Sequence, residues 1–286
     1  MSAPRRTTAL TSQAGTDFDL GQAAAVLTDA AAKAGAAIMA HYAGPVEVET
    51  KDDESPVTKA DRDAEAAILP VLAALAPSIS VVSEETAADR TEALGQRFFL
   101  VDPLDGTKEF IKKRSDFTVN VALIEEGRPR FGLVYAPARS LLAVTTADGV
   151  VVEAEMAPSA AGADLDALPQ KRLHARAGDP KALTALVSLS HLDPKTEAFL
   201  EGLDIAERSS AGSSVKFLEI ARGNADVYPR FGPTMEWDTA AGQAVLEASG
   251  GRVVDMEGNR FGYGKTEDGL RNSGFVAWGR TILTPQ

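Results

Sequence analysis

The stretch Arg97-Phe98-Phe99-Leu100-Val101-Asp102-Pro103-Leu104-Asp105-Gly106-Thr107 decides how this chain is read. Five residues with the composition of a buried strand, Arg97 to Val101, run into two carboxylates spaced three apart. Pro103 fixes one backbone angle between them and Gly106 relaxes the turn that follows. Such a turn can aim Asp102 and Asp105 at one point. Oxygen-only ligands suit a hard cation such as Mg²⁺, and the backbone carbonyl of Leu104, lying between the two, is a further candidate ligand. A helix is expected to begin after Gly106. The amide hydrogens around Gly106, Thr107 and Lys108 would then form an anion pocket beside the metals. A surface Asx turn capping a helix would have the same local sequence, so the segments around it matter.

Upstream, Ile79 to Val82 reads as a short apolar strand that delivers Ser83, Glu84 and Glu85 at its end, a common place for ligand-bearing carboxylates. Asp61 to Leu75 reads as a helix that Pro70 should bend or interrupt. Thr58 and Asp61 bracket its start, where capping alone would account for both. A first, alanine-rich helix over 18 to 43 stops at Gly44 and Pro45. Val46 and Val48 alternate with glutamates as a short strand would, before the charged loop Lys51 to Pro56. Downstream, Phe117 to Ile124 and Phe131 to Tyr135 read as a hairpin turned at Glu126, Gly127 and Arg128. Leu141 to Thr145 and Val150 to Val152 follow, turned at Asp148-Gly149. Consecutive hairpins predict an antiparallel sheet in this half.

Residues 154 to 170 lack a clear period and read as a loop and an approximate domain boundary. The expected organisation is a leader at 1–16, an α+β metal-binding half at 17–165 and a smaller α/β substrate-specificity half at 166–286. In the latter, strands at Leu186 to Ser190, near Ile205, at Ala225 to Tyr228 and at Val253 to Val254 alternate with helices at Pro194 to Gly202, Ser213 to Arg222 and Thr239 to Ser249. Asp238 then sits where an N-cap belongs.

Composition narrows the classes. With 286 residues, 44% hydrophobic and 24% charged, the chain is globular and of the size at which one core begins to split. The formal net charge of −12 argues against nucleic acid and anionic lipid as partners. Cys is absent, which excludes disulfides, thiolate metal sites and cysteine nucleophiles and suits a reducing cytoplasm. The start lacks the apolar stretch of a signal peptide, Arg5 and Arg6 read as incidental, and no later run is expected to span a membrane.

Placed together, Glu84, Asp102, Asp105 and Asp238 suit two-metal phosphate-ester hydrolysis, in which cations activate a water, neutralise phosphate charge and stabilise the leaving oxygen. Asp102 is the natural bridging carboxylate. Ser213, Ser214 and Lys216 near a helix start, with Arg230, could hold a second phosphate, although each alone would pass as a surface residue. A haloacid-dehalogenase phosphatase needs its two aspartates two apart, not three. Gly262-Tyr263-Gly264-Lys265-Thr266 fails as a P-loop because Asn259 stands where its first glycine belongs. His41, His174 and His191 have no metal-ligand spacing.

These residues resemble the inositol monophosphatase superfamily and, within it, the CysQ-type 3'(2'),5'-bisphosphate nucleotidases. The resemblance rests on Lys51 to Asp61, Ser83 to Glu85, Phe99 to Phe110, Phe117 to Pro137, Gly212 to Phe217, Tyr228 to Thr234 and Trp237 to Gly242. It implies an α/β (α+β) fold, layered α/β/α/β/α. It also implies two or three Mg²⁺ ions: one on Glu84, Asp102 and the Leu104 carbonyl, another on Asp102, Asp105 and Asp238, with Glu84 helping a third, weaker ion. Asp61 and Thr107 would orient and deprotonate the attacking water. The cleaved phosphate would lie over Asp105, Gly106 and Thr107, and His191, Ser213, Lys216 and Arg230 would contact the nucleotide. The Lys108-Glu109-Phe110 sequence and Tyr228 to Thr234 favour the nucleotidases. The implied reaction converts 3'-phosphoadenosine 5'-phosphate to AMP and phosphate in sulfate assimilation. An inositol monophosphatase or dual-specificity sugar phosphatase is the nearer alternative, and a catalytically silent homologue the remoter one. The expected protein is a cytoplasmic monomer or homodimer, with peripheral contact at the cytoplasmic face of the inner membrane left open.

Overall fold

Asp19 starts the first helix, its Oδ1 accepting the amide hydrogens of Gly21 and Gln22. The computed structural model describes residues 18–45, 48–50, 56–89, 93–188 and 193–283. In chain order the first elements are α1 (Leu20–Tyr42), the small antiparallel pair β1 (Val48–Thr50) and β2 (Pro56–Thr58), α2 (Lys59–Leu75), β3 (Ser80–Ser83), β4 (Arg97–Asp105) and α3 (Thr107–Ile111). Then come β5 (Thr118–Glu125), β6 (Arg128–Ala136), β7 (Leu141–Thr145), β8 (Val151–Glu155) and β9 (Gln170–Arg172). Helix α2 reaches Leu75 as expected, and Pro70 inside it does not interrupt it.

Strands β3 to β9 form one seven-stranded sheet in sequence order. Every neighbouring pair is antiparallel except β3 and β4, which are parallel. Short turns join β5 to β6, β6 to β7 and β7 to β8, while β4 reaches β5 through α3 and β8 reaches β9 through a longer segment; residues 84–96 separate β3 from β4, long enough for a crossover. The stretch expected as loop at 154–170 is shorter, since β8 reaches Glu155 and Gln170 already belongs to the sheet.

The remaining elements are β10 (Leu183–Ser188), α4 (Pro194–Glu201), β11 (Ile205–Ala211), α5 (Val215–Ala221), β12 (Val227–Arg230), β13 (Thr234–Met235), α6 (Glu236–Ala248), β14 (Arg252–Asp255), β15 (Arg271–Asn272) and β16 (Phe275–Trp278). A second sheet has the order β11-β10-β12-β16-β14. Here β10 runs parallel to both neighbours and β16 antiparallel to both of its own.

Strand periodicity sorts the side chains into layers. Phe99, Val101, Val121, Leu123, Leu133 and Tyr135 face α1 and α2. Their neighbours Phe98, Leu100, Ala122, Ile124 and Val134 face the other way, onto α5 and α6. The second sheet lies on the far side of those helices through Tyr228, Val253, Phe275 and Ala277, and turns Val227, Val254, Val276 and Trp278 toward α4. The result is the α/β/α/β/α sandwich. Strands covered on both faces read as continuous apolar runs, which is why Phe98 to Val101 carries no polar alternation. Gly132 lets α6 lie flush on the first sheet: a Cβ there would come within 2.5 Å of Ala244 Cβ and 2.6 Å of the Ala241 carbonyl oxygen.

Helix α1 corrects the expectation that no run reaches membrane-spanning length. Its 23 residues include an 18-residue window of mean hydropathy 1.3. Alanine sets that value, and Ala23, Ala24, Leu27, Ala31, Ala34 and Ile38 are buried against the sheet and α2.

Candidate active site

The two carboxylates of β4 stand on opposite sides of an irregularity in its pairing. Asp102 lies opposite Asn120 and Asp105 opposite Thr118, and the register shifts between them at Pro103-Leu104. Asp102 Oδ1 accepts the Leu104 amide hydrogen at 3.0 Å, closing the turn. Gly106 is in the left-handed region at φ +92°, and a Cβ there would sit 2.9 Å from the Asp116 carbonyl oxygen and 3.2 Å from Ser213 Cβ. No other residue fits this turn.

Glu84, just past the end of β3, and Asp238, in the first turn of α6, come to the same place. One carboxylate oxygen each from Glu84, Asp102 and Asp238 lie within 4.8 Å of one another. Asp238 is not the N-cap that the sequence suggested. The helix starts earlier, at Glu236, whose amide is tied to the Leu270 carbonyl at 2.9 Å, and Asp238 Oδ2 reaches back to accept the Met235 amide hydrogen at 2.7 Å. Asp105 lines the same cavity. Its Oδ2 is taken up by the Ser214 amide at 2.7 Å, Asn120 Nδ2 at 3.3 Å and the Thr118 hydroxyl at 3.4 Å, which leaves Oδ1 for other work.

Asp61 sits behind the turn. Its Oδ2 accepts both the amide and the hydroxyl of Thr58, at 2.8 and 2.6 Å, as the capping reading required. Its Oδ1 faces Thr107, whose hydroxyl lies 3.3 Å from it and 3.2 Å from the Leu104 carbonyl oxygen. Capping and contact with the turn are therefore not alternatives: one oxygen does each.

Burial and crowding of like charge set the electrostatics. Desolvation, then the charges of Glu84, Asp105, Asp238 and Asp61, push the Asp102 carboxyl well above the usual carboxylate range. Asp238 is pushed up in the same way by burial, Asp105 and Glu84. Asp105 and Asp61 are raised chiefly by burial, opposed in Asp105 by Lys216 and in Asp61 by Thr58. Burial lowers the Lys216 ammonium to about 8 against the pull of Asp105. An acidic, oxygen-only cluster whose members repel one another fits a hard divalent cation, which offsets that repulsion. This makes a first prediction. Carboxyls with raised folded-state pKa values hold protons that the unfolded chain has released, so the metal-free protein loses stability as pH rises through the carboxylate range. Thermal unfolding in chelator at several pH values should show this, and a divalent cation should raise the melting temperature more at pH 8 than at pH 5.

Opposite the acidic cluster, the loop Gly212–Ser214 and α5 bring up Ser213 and Lys216, and β12 brings Arg230; all three line the cavity with Gly106, Thr107 and Lys108. Lys216 is buried and donates to the carbonyls of Ser213 at 2.8 Å and Ala211 at 3.2 Å, beneath the face of Tyr228. Arg230 donates to the Pro233 carbonyl at 3.2 Å. His191 lies outside the described residues. Reading the sequence missed Thr118 and Asn120, the partners of Asp105. Two polar residues on one face of the otherwise apolar strand Thr118-Val119-Asn120-Val121-Ala122 are the signal that would have found them. It also missed Ser188 and Phe275 in the cavity wall, where Tyr228 of the stretch that favoured the nucleotidases stands as well.

The model of the inositol monophosphatase family matches residues 19–279. The chain belongs to the inositol monophosphatase family. Within that family it is similar to the 3'(2'),5'-bisphosphate nucleotidase CysQ of Salmonella typhimurium, 43% identical over 86% of this chain and 95% of that protein. CysQ of Escherichia coli is 42% identical over the same shares. The crystal structure of CysQ from Bacteroides thetaiotaomicron superposes with a TM-score of 0.74 at 34% identity, covering 92% of this chain and 98% of that one. SuhB of Bartonella henselae, at 23% identity and a TM-score of 0.67, shares the family fold.

Proposed function

We propose that this chain is a magnesium-dependent phosphomonoesterase that hydrolyses 3'-phosphoadenosine 5'-phosphate, and related 3'(2'),5'-bisphosphate nucleotides, to AMP and phosphate in the cytoplasm, serving sulfate assimilation. The observation that carries this is identity of 42–43% to CysQ nucleotidases along nearly the whole chain. The convergence of Glu84, Asp102 and Asp238 supports it.

Glu84, Asp102 and the Leu104 carbonyl would hold one Mg²⁺, and Asp102, Asp105 and Asp238 a second, with Glu84 contributing to a third. Magnesium supplies Lewis-acid polarisation of phosphoryl oxygens and makes water more acidic. The chain's own residues do the rest. Thr107 has one hydroxyl proton and two acceptors in reach, and the Asp61 carboxylate is the stronger. Thr107 donates that hydrogen to Asp61 as a hydrogen bond, so its oxygen accepts one from a water and fixes the water's lone pair toward phosphorus; as the water attacks, its proton passes to Thr107 while the Thr107 proton passes to Asp61. Asp61 Oδ1 is the final base, because Oδ2 is already occupied by Thr58. Thr118, Asn120 and Ser214 hold Oδ2 of the Asp105 carboxylate and so leave Oδ1 as the oxygen for the second Mg²⁺. Across the cavity Ser213, Arg230 and Lys216 take the nucleotide and its second phosphate, and the family resemblance adds His191 as a further nucleotide contact.

Initial rates with Mg²⁺ on 3'-phosphoadenosine 5'-phosphate, inositol 1-phosphate and fructose 1,6-bisphosphate test this reading. The bisphosphate nucleotide should be preferred. Preference for inositol 1-phosphate would overturn the nucleotidase assignment, and inactivity on all three would leave a silent homologue.

A further inference from the structure

The loop Gly262-Tyr263-Gly264-Lys265-Thr266 has the look of a phosphate cradle and lies outside the proposed chemistry. Its cradle already holds an anion, and the anion is the chain's own. The carboxylate of Glu236, first residue of α6 and fully buried, accepts the amide hydrogens of Gly264 at 2.8 Å and Lys265 at 2.9 Å, and Lys265 Nζ lies 3.4 Å from it. Lys265 Nζ also donates to the Gly262 carbonyl and, at 3.1 Å, to Asn272 Oδ1.

From Asn272 the contacts run to both sides of Asp238. Asn272 Nδ2 donates to the Met235 carbonyl and to the Thr239 hydroxyl, each at 2.9 Å, and lies 3.2 Å from Thr234 Oγ1. Met235 in turn gives its amide hydrogen to Asp238 Oδ2. Tyr263 OH closes the set on Thr239 at 3.2 Å and Gln243 at 2.8 Å. The residues before and after Asp238 are thus fastened by one asparagine, and that asparagine is oriented by Lys265.

We propose that Lys265 is a positioning residue: through Glu236 and Asn272 it fixes the first turn of α6 and so aims the Asp238 carboxylate at the acidic centre. The proposal rests on Asp238 being a metal ligand. Without the ammonium, Glu236 keeps its two amide donors but becomes a buried charge lacking its counter-charge, and Asn272 loses the group that sets its amide orientation. The first turn of α6 would then gain freedom where the metal needs a fixed oxygen.

The test is direct Mg²⁺ binding by titration calorimetry on the full chain. Outer partners of metal ligands typically account for 10–100-fold in affinity. Lys265→Met is therefore expected to weaken Mg²⁺ binding roughly tenfold, with turnover recovering at saturating Mg²⁺. Asn272→Ala, which leaves no buried charge behind, should act in the same direction and decides the matter if Lys265→Met does not fold. Arg176→Met breaks the ion pair with Asp226 away from the site and is the control for general destabilisation. It should lower the melting temperature and leave Mg²⁺ affinity unchanged. Wild-type affinity in Asn272→Ala and in folded Lys265→Met would overturn the proposal, as would an equal loss in Arg176→Met. Absence of Mg²⁺ binding by the wild-type chain would instead overturn the metal-site reading itself.

Discussion

Asp102→Asn is expected to lose turnover by well over the roughly 100-fold at the top of the range for outer partners of a metal ligand, since it removes one of the proposed ligands. The fold should survive. Asparagine has the same shape, its Oδ1 can still accept the Leu104 amide hydrogen, and the side chain it replaces is a buried carboxylate crowded by Glu84, Asp105, Asp238 and Asp61. Removing that charge relieves repulsion in the metal-free state, so the melting temperature in chelator should hold or rise. The increase in melting temperature on adding Mg²⁺ should shrink. Wild-type turnover in this variant would end the argument that Asp102 bridges metals.

Asp61→Asn is the second large effect, and its signature differs. An amide cannot accept a proton from Thr107, so kcat should fall by about 10²–10⁴-fold, the usual contribution of a general base. Mg²⁺ affinity should stay near wild type, because Asp61 is not among the proposed ligands. The helix cap is retained: asparagine oxygen can still accept from the Thr58 amide, so stability should change by less than the 0.5–2 kcal/mol typical of losing a cap. Measuring kcat beside calorimetric Mg²⁺ binding separates this variant from Asp102→Asn. A loss of Mg²⁺ affinity equal to that of Asp102→Asn would move Asp61 from base to ligand.

The site divides into parts that local sequence encodes and parts that it does not. Asp102 to Thr107 was legible because a turn that needs proline, glycine and two carboxylates writes its requirements into adjacent positions. Glu84 was legible as a carboxylate at the end of an apolar strand. The start of α6 was not, because it is set by the β13–β15 pairing and by Leu270, Lys265 and Asn272, all more than twenty residues downstream. That is why Asp238 looked like an N-cap and is a first-turn residue. The parallel entry of β3 was hidden for a similar reason, since pairing direction across residues 84–96 is a tertiary property. Thr118 and Asn120 became site residues only once the register placed them opposite Asp105 and Asp102. The layered sandwich itself follows from which faces of the strands are apolar, and there the reading of hairpins followed by alternating strands and helices carried through.

The packing of α6 against the seven-stranded sheet has a consequence for how the chain is made. The sheet is complete in sequence at Arg172, yet one of its faces is covered by α5 and, over most strands, by a helix that begins only at Glu236. During synthesis from the N-terminus, Phe98, Leu100, Ile124 and Val134 therefore emerge well before the helix that shields them. Until α5 and then α6 leave the ribosome, the nascent chain carries an apolar β-surface without its full intramolecular cover, the kind of surface that chaperones bind and that self-associates when left alone. The helix that brings Asp238 to the acidic centre thus also ends the period in which the growing polypeptide is most prone to aggregate.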